Sequence, residues 1–283
     1  MTNGILLALA AYAAFSFGDA CIKALGGELS VFEIAFFLTL FATLFLLPSK
    51  PRDEPWRDVL RLRKPWLVRA RALTGLTAGL LGIVAFTSIP FAEAYALIFL
   101  APLFVALLSA VVLKEAVGLW RWLTVLAGFL GVLLVVRPGF RALEVGHLAA
   151  VGVAAMVGAS VTLLRLLAGR ERRTSILAVM LGYSLVVNGT AALATGAGVP
   201  AWPQLLFLLF AGGFAAAGQM LLMLATSMAP ANRVGPTQYT QLLWATLIGA
   251  FAFGEQPDAI AMLGLAIVAG AGLLTLVRAP GGL

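Results

Sequence analysis

The acid–base inventory of this 283-residue chain is 12 carboxylates, 19 lysines and arginines and a single histidine. Few of these stand where chemistry would need them. Asp19 and Lys23 lie four apart in the first apolar run, which places them on one face of a helix. Two readings of this pair are open. It is a gate, or a contact for a zwitterion's amine and carboxylate, or else a self-neutralising interfacial pair whose lysine snorkels to water. Glu33 and Glu93 each open an apolar run, where a carboxylate complements the positive end of a helix. Glu115 and Glu255 close the fourth and ninth runs as turn residues, and His147 stands at the start of the sixth. There is no HExxH, GxSxG or Walker A pattern, which argues against an intramembrane enzyme and an ATP-driven pump. The lone Cys21 excludes an internal disulfide framework and a cysteine-built metal site, and no cofactor is expected.

Uncharged polar and aromatic residues are better placed to line a cavity. Gln238, Gln241 and Thr237 recur at three- and four-residue spacing as one polar face, and Trp244 follows Gln241 by three. Gln219 and Asn188 lie in two neighbouring runs. Tyr12, Phe15 and Ser16 come from the first run, and Tyr95 and Phe99 from the fourth. An apolar, aromatic-lined pocket with few polar groups suits a small amphipathic ligand. The residues expected to contact substrate are Gln219, Gln238, Gln241, Trp244 and Tyr95, with Tyr239, Tyr12, Phe15 and Ser16 around them. Pro102 interrupts the fourth run and is the hinge candidate, with Asp19 and Lys23 as gate candidates. The lack of a charge at midplane points to a neutral or zwitterionic substrate with weak or no proton coupling.

These residues must be held by membrane-spanning helices. Hydrophobic residues make up 62% of the chain and charged ones only 11%. Mean hydropathy is +1.03. A soluble domain keeps roughly a quarter of its residues charged. Runs of about 20 apolar residues, each able to cross ~30 Å of hydrocarbon, recur throughout. They predict ten helices at 4–25, 31–48, 67–89, 92–113, 119–137, 146–168, 175–196, 204–227, 233–253 and 259–277. The first carries no Lys or Arg before it, so it reads as a retained span rather than a cleaved signal. The net charge of +7 reads as basic loops facing the cytoplasm and anionic lipid, not as nucleic-acid binding. With both termini cytoplasmic, all of the 19 lysines and arginines except Lys23, Arg137 and Arg141 fall inside. Gly75 and Gly79 form a GxxxG pair, and Gly128, Gly131, Gly264, Gly270 and Gly272 mark the fifth and tenth runs. Close packing within a monomer is their first use and dimerisation the second.

The halves 1–140 and 141–283 resemble each other at an offset of about 140 residues. Ala85–Pro90 reads AFTSIP and Ala225–Pro230 reads ATSMAP; Glu115 aligns with Glu255 and Gly18 with Gly158. Five spans per half is an odd number, so the second half must be inverted relative to the first, the signature of secondary transporters. The order Pro90-Phe91-Ala92-Glu93-Ala94, then Leu113-Lys114-Glu115, then Trp122-Leu123 with Gly128 and Gly131-Val132-Leu133-Leu134, resembles the drug/metabolite transporter superfamily, specifically its EamA-type members. The resemblance implies an all-α protein of two inverted five-helix repeats in the bacterial cytoplasmic membrane. It also implies alternating-access export of aromatic or apolar amino acids or similar metabolites. A channel-like pore and an exporter of other metabolites or drugs are the alternatives. Small multidrug exporters of the superfamily carry a glutamate in helix one, which this sequence lacks.

Overall fold

The computed structural model describes residues 2–49, 54–59, 61–114, 118–137, 142–230 and 234–277. Glu115 and the basic residues Lys50, Arg52, Arg141, Arg233 and Arg278, which enter the repeat and orientation readings, lie outside them. The regular elements among the described residues are all helices, with no strand.

The helices are α1 (Thr2–Ala24), α2 (Val31–Leu46), α3 (Trp56–Val59), α4 (Pro65–Ser88), α5 (Phe91–Ile98) and α6 (Ala101–Val112). They continue as α7 (Leu119–Val136), α8 (Val145–Leu167), α9 (Arg173–Ala194) and α10 (Trp202–Met228). A 3₁₀ turn (Gly235–Tyr239) then leads into α11 (Thr240–Phe253), and α12 (Ala259–Val277) follows. Among the described residues six stretches are long and apolar enough to cross a membrane: those of α1, α4, α5 with α6, α8, α9 and α10. Shorter apolar helices occur in α2, α7 and α12.

Local chemistry sets the boundaries. Ser30 accepts from the Glu33 amide while the Glu33 carboxylate accepts from the Ser30 amide, so Glu33 completes a capping box at the start of α2. Pro90 separates α4 from α5. Gly254, at φ +66°, ends α11 in the left-handed conformation that glycine adopts without steric cost.

The fourth run, expected to kink at Pro102, and the ninth, expected to run unbroken past Pro236, are each divided. Between α5 and α6, hydrogen bonding shortens at Phe99 and Leu100. The Phe99 amide donates to the Tyr95 carbonyl, but the Leu100 amide donates to Leu97 and the Leu103 amide to Leu100. Pro102 has no amide proton for the carbonyl of Ile98, so the α-helical ladder cannot continue there. In the ninth run, Pro236 sits in the 3₁₀ turn that ends at Tyr239.

Helix pairing is reciprocal. α1 packs along α10 and α4 along α8; α7 packs along α12, and α2 against α9. The seams are lined by small residues such as Ala8, Ala11, Ala150, Ala154, Ala211 and Ala225, all fully buried. Where α7 crosses α12, a Cβ on Gly131 would lie 2.8 Å from the Gly264 carbonyl oxygen. Those glycines therefore serve packing inside the bundle. The GxxxG pair is used only in part: Gly75 faces Met180 of α9, whereas nothing lies within 4 Å of a Cβ on Gly79. Large apolar side chains such as Leu6, Val111, Val186 and Phe251 face outward. In water such a surface would drive aggregation; against lipid tails it is the required one.

Candidate functional site

The largest buried cluster sits where α5, α8, α11 and the ends of α4, α7 and α12 meet. Tyr95, on α5, lies in it and is 3% exposed, so its hydroxyl needs partners from the protein. It donates to the Asp19 carboxylate of α1 at 2.6 Å and lies 3.5 Å from Ser16 Oγ. Gln241 of α11 donates to the same hydroxyl oxygen at 3.3 Å. Four polar side chains from three helices thus converge inside an aromatic wall. Phe86, Phe91 and Phe99 surround the Tyr95 ring at centroid distances of 5.3, 5.2 and 6.4 Å. Phe99 in turn stacks on Tyr239 at 4.9 Å and 25°.

This arrangement corrects the reading of Asp19 and Lys23 as one pair. The Lys23 ammonium bonds Glu255 at 2.8 Å and donates to the carbonyls of Ile89 at 2.8 Å and Phe86 at 3.2 Å. Its side chain is only 12% exposed, so it does not snorkel. The other Glu255 oxygen accepts from the Phe91 amide at 2.7 Å. One lysine and one glutamate therefore bind α1 and the end of α11 to the α4–α5 junction. Asp19, one turn earlier, is left to Tyr95. It is partly exposed, and among the described residues no cation forms an ion pair with it.

Two more charged contacts lie near this end. His147 Nδ1 accepts from the Glu144 amide at 3.0 Å, which puts the imidazole proton on Nε2, facing Glu93 at 3.3 Å. Arg137, at the end of α7, bonds Asp258 just before α12. A cavity of about 160 Å³ lies among these groups, lined by Pro90, Glu93, Thr246, Glu255, Asp258 and Ala261.

Of the residues read from sequence as substrate contacts, Tyr95, Ser16 and Gln241 meet directly. Tyr239 joins them through Phe99, and Gln238 lies beside it in the 3₁₀ turn. Trp244 packs against Phe17 at 5.8 Å. Tyr12 and Phe15 pair with each other at 6.0 Å, and Phe15 lies over Gly218, on the α10 side of α1. Gln219 makes no side-chain hydrogen bond among the described residues. Thr237 turns its hydroxyl back to the Val234 carbonyl at 2.6 Å, so the polar face drawn for the ninth run loses that member to the 3₁₀ turn. Asn188 is buried between helices, 2% exposed, away from this group. Sequence reasoning missed the Lys23–Glu255 and Glu93–His147 contacts, whose partners are far apart in the chain and carry no local spacing signal.

Comparison with known proteins agrees with this architecture. A solved crystal structure superposes with a TM-score of 0.66, covering 99% of this chain and 98% of that one at 20% identity, which shows a shared fold. A riboflavin transporter of Rhizobium johnstonii is 32% identical over 86% of this chain and 80% of its own. An S-adenosylmethionine uptake transporter of Rickettsia prowazekii is 25% identical over 94% of this chain and 90% of its own. The EamA-like transporter family matches residues 2–137 and again 144–277. With two such matches spanning nearly the whole length, this multi-pass membrane protein belongs to the EamA-like transporter family and is a transporter, not an enzyme.

Proposed function

We propose that the chain is a secondary transporter that carries a small amphipathic metabolite by alternating access through two inverted five-span halves, 1–140 and 141–283. The polar centre of Asp19, Tyr95, Ser16 and Gln241 inside an aromatic wall carries the reading, because its members come from both halves. A carboxylate with no cation paired to it among the described residues suits an ammonium or similar cationic group of the substrate, and Gln241 suits a hydroxyl or carbonyl. The inversion is supported by the reciprocal pairing. The first helix of one half packs on the third span of the other, as α1 on α10 and α8 on α4. The two divided runs supply the discontinuous helices expected at such a repeat interface.

Lys23 and Glu255 form the gate at one end and Pro102 marks the hinge. The distribution of lysine and arginine supports cytoplasmic termini in a bacterial inner membrane, which puts the Lys23 end outside. The protein works as a monomer, the Gly131 and Gly264 faces of α7 and α12 being used within the bundle.

Aromatic or apolar amino acids moved outward are the narrower class drawn from the family resemblance. Relatives named as a riboflavin transporter and an S-adenosylmethionine uptake transporter support ring-bearing metabolites, and the second supports inward movement. Flux of labelled riboflavin, S-adenosylmethionine and phenylalanine in proteoliposomes decides among them. Saturable flux of any of these that falls at least about tenfold in Gln241→Leu supports the site. Unsaturable flux would favour a channel-like pore, and flux indifferent to Gln241→Leu would remove the site.

A further inference from the structure

The two divided runs break at equivalent places. Phe99 is the residue after α5, and Tyr239, about 140 residues later, is the last of the 3₁₀ turn before α11. These two residues stack on each other, 4.9 Å between centroids and 25° between planes. With Tyr95, 6.4 Å from Phe99 at 29°, they form a ladder of three nearly parallel rings. The Tyr95 end of the ladder carries the hydroxyl bonded to Asp19 and Gln241.

Three features separate this stack from ordinary core packing. Phe99 and Tyr239 are each only partly buried, whereas Phe91 and Tyr95 beside them are at most 3% exposed. Each ring sits where its backbone leaves the α-helical ladder, so a small rotation of either half-run parts them without breaking a regular helix. The Tyr239 ring lies in a notch made by Gly272 of α12: a Cβ built there would clash with the hydroxyl-bearing edge of the ring, nearest Cζ. A cavity of about 20 Å³, bounded by Phe99, Pro102, Thr124, Phe129, Tyr239 and Gly272, adjoins the stack.

We infer that Phe99 and Tyr239 are an aromatic clamp that selects a substrate with a flat, fused heteroaromatic ring. Resting on the transporter reading above, this narrows its substrate class. Each ring holds the position that a ligand ring takes against the other. The ligand ring enters between them, and its polar chain runs past Tyr95 to Asp19 and Gln241. Stacking tolerates any planar π-face, so the clamp fixes flatness and ring size, and the polar centre fixes the rest.

The test uses the full chain in proteoliposomes with riboflavin as probe, read by flux and by quenching of flavin emission on stacking. Phe99→Leu and Tyr239→Leu are expected to raise the riboflavin KM about tenfold, with kcat changed less than about twofold and quenching lost. Tyr239→Phe keeps both. Equal KM and quenching in wild type and both leucine variants, each with wild-type thermal stability, overturns the clamp while the transporter reading stands. Saturable flux of an aliphatic amino acid that neither riboflavin nor S-adenosylmethionine inhibits also overturns the clamp alone. Absence of saturable flux for riboflavin, S-adenosylmethionine, phenylalanine and leucine overturns both. Gly272→Ala, which crowds Tyr239 from behind, provides a variant in which the two rings themselves are intact. Its riboflavin affinity is expected to fall with the ring residues unchanged.

Discussion

The hydroxyl of Tyr95 has three polar neighbours within 3.5 Å, from two other helices, so it fixes the geometry of Asp19, Ser16 and Gln241 together. Removing it in Tyr95→Phe leaves the ring ladder and takes away the orienting bonds. The expected outcome is a fall of about tenfold in transport kcat/KM, with little change in melting temperature, measured on the same proteoliposome preparation. Asp19→Asn separates charge from shape. It keeps an acceptor for Tyr95 but not the negative charge, so flux of a cationic substrate drops more steeply than flux of a neutral one. The membership of this group was legible in the sequence for Tyr95, Ser16 and Gln241, because polar and aromatic residues inside apolar runs are costly and few. Asp19's true partner was not. An i,i+4 neighbour is the obvious choice on paper, and nothing local reveals that Lys23 is taken by Glu255, more than two hundred residues away.

At the scale of elements, the six long apolar stretches followed from the apolar runs of the sequence, since a membrane leaves few ways to satisfy a backbone. Proline at 102 announced a distortion in the fourth run. What the sequence did not disclose was its form: a break with two residues outside either helix, rather than a bend within one. The difference depends on whether neighbours stabilise the interrupted ladder, and here Phe99 is held by Tyr239 across the bundle. Pro102→Ala restores an amide donor for the Ile98 carbonyl and lets α5 and α6 fuse. We expect greater thermal stability, by up to about 1–3 kcal/mol, together with a several-fold lower kcat. A variant with unchanged kcat would show that the break is structural and not a hinge.

Across the whole molecule, the charged contacts of Lys23 with Glu255 and of Glu93 with His147 tie several helices together at one end. If that end opens during each cycle, bridging Lys23→Cys and Glu255→Cys with a reducible bifunctional thiol reagent, in a Cys21→Ser background, will arrest flux, and reduction will restore it. Flux that persists in the cross-linked protein would show that this end stays shut throughout. The pairing of α1 with α10 and of α4 with α8 also bears on how the chain is made. Gly4 and Gly18 of α1 are shaped to a helix that begins at Trp202. During synthesis α1 therefore enters the bilayer with its grooved face unmatched, and it stays so until most of the polypeptide has followed. Insertion and final assembly must then be separate events in time. The α1 face that meets α10 is buried only after α10 has been made.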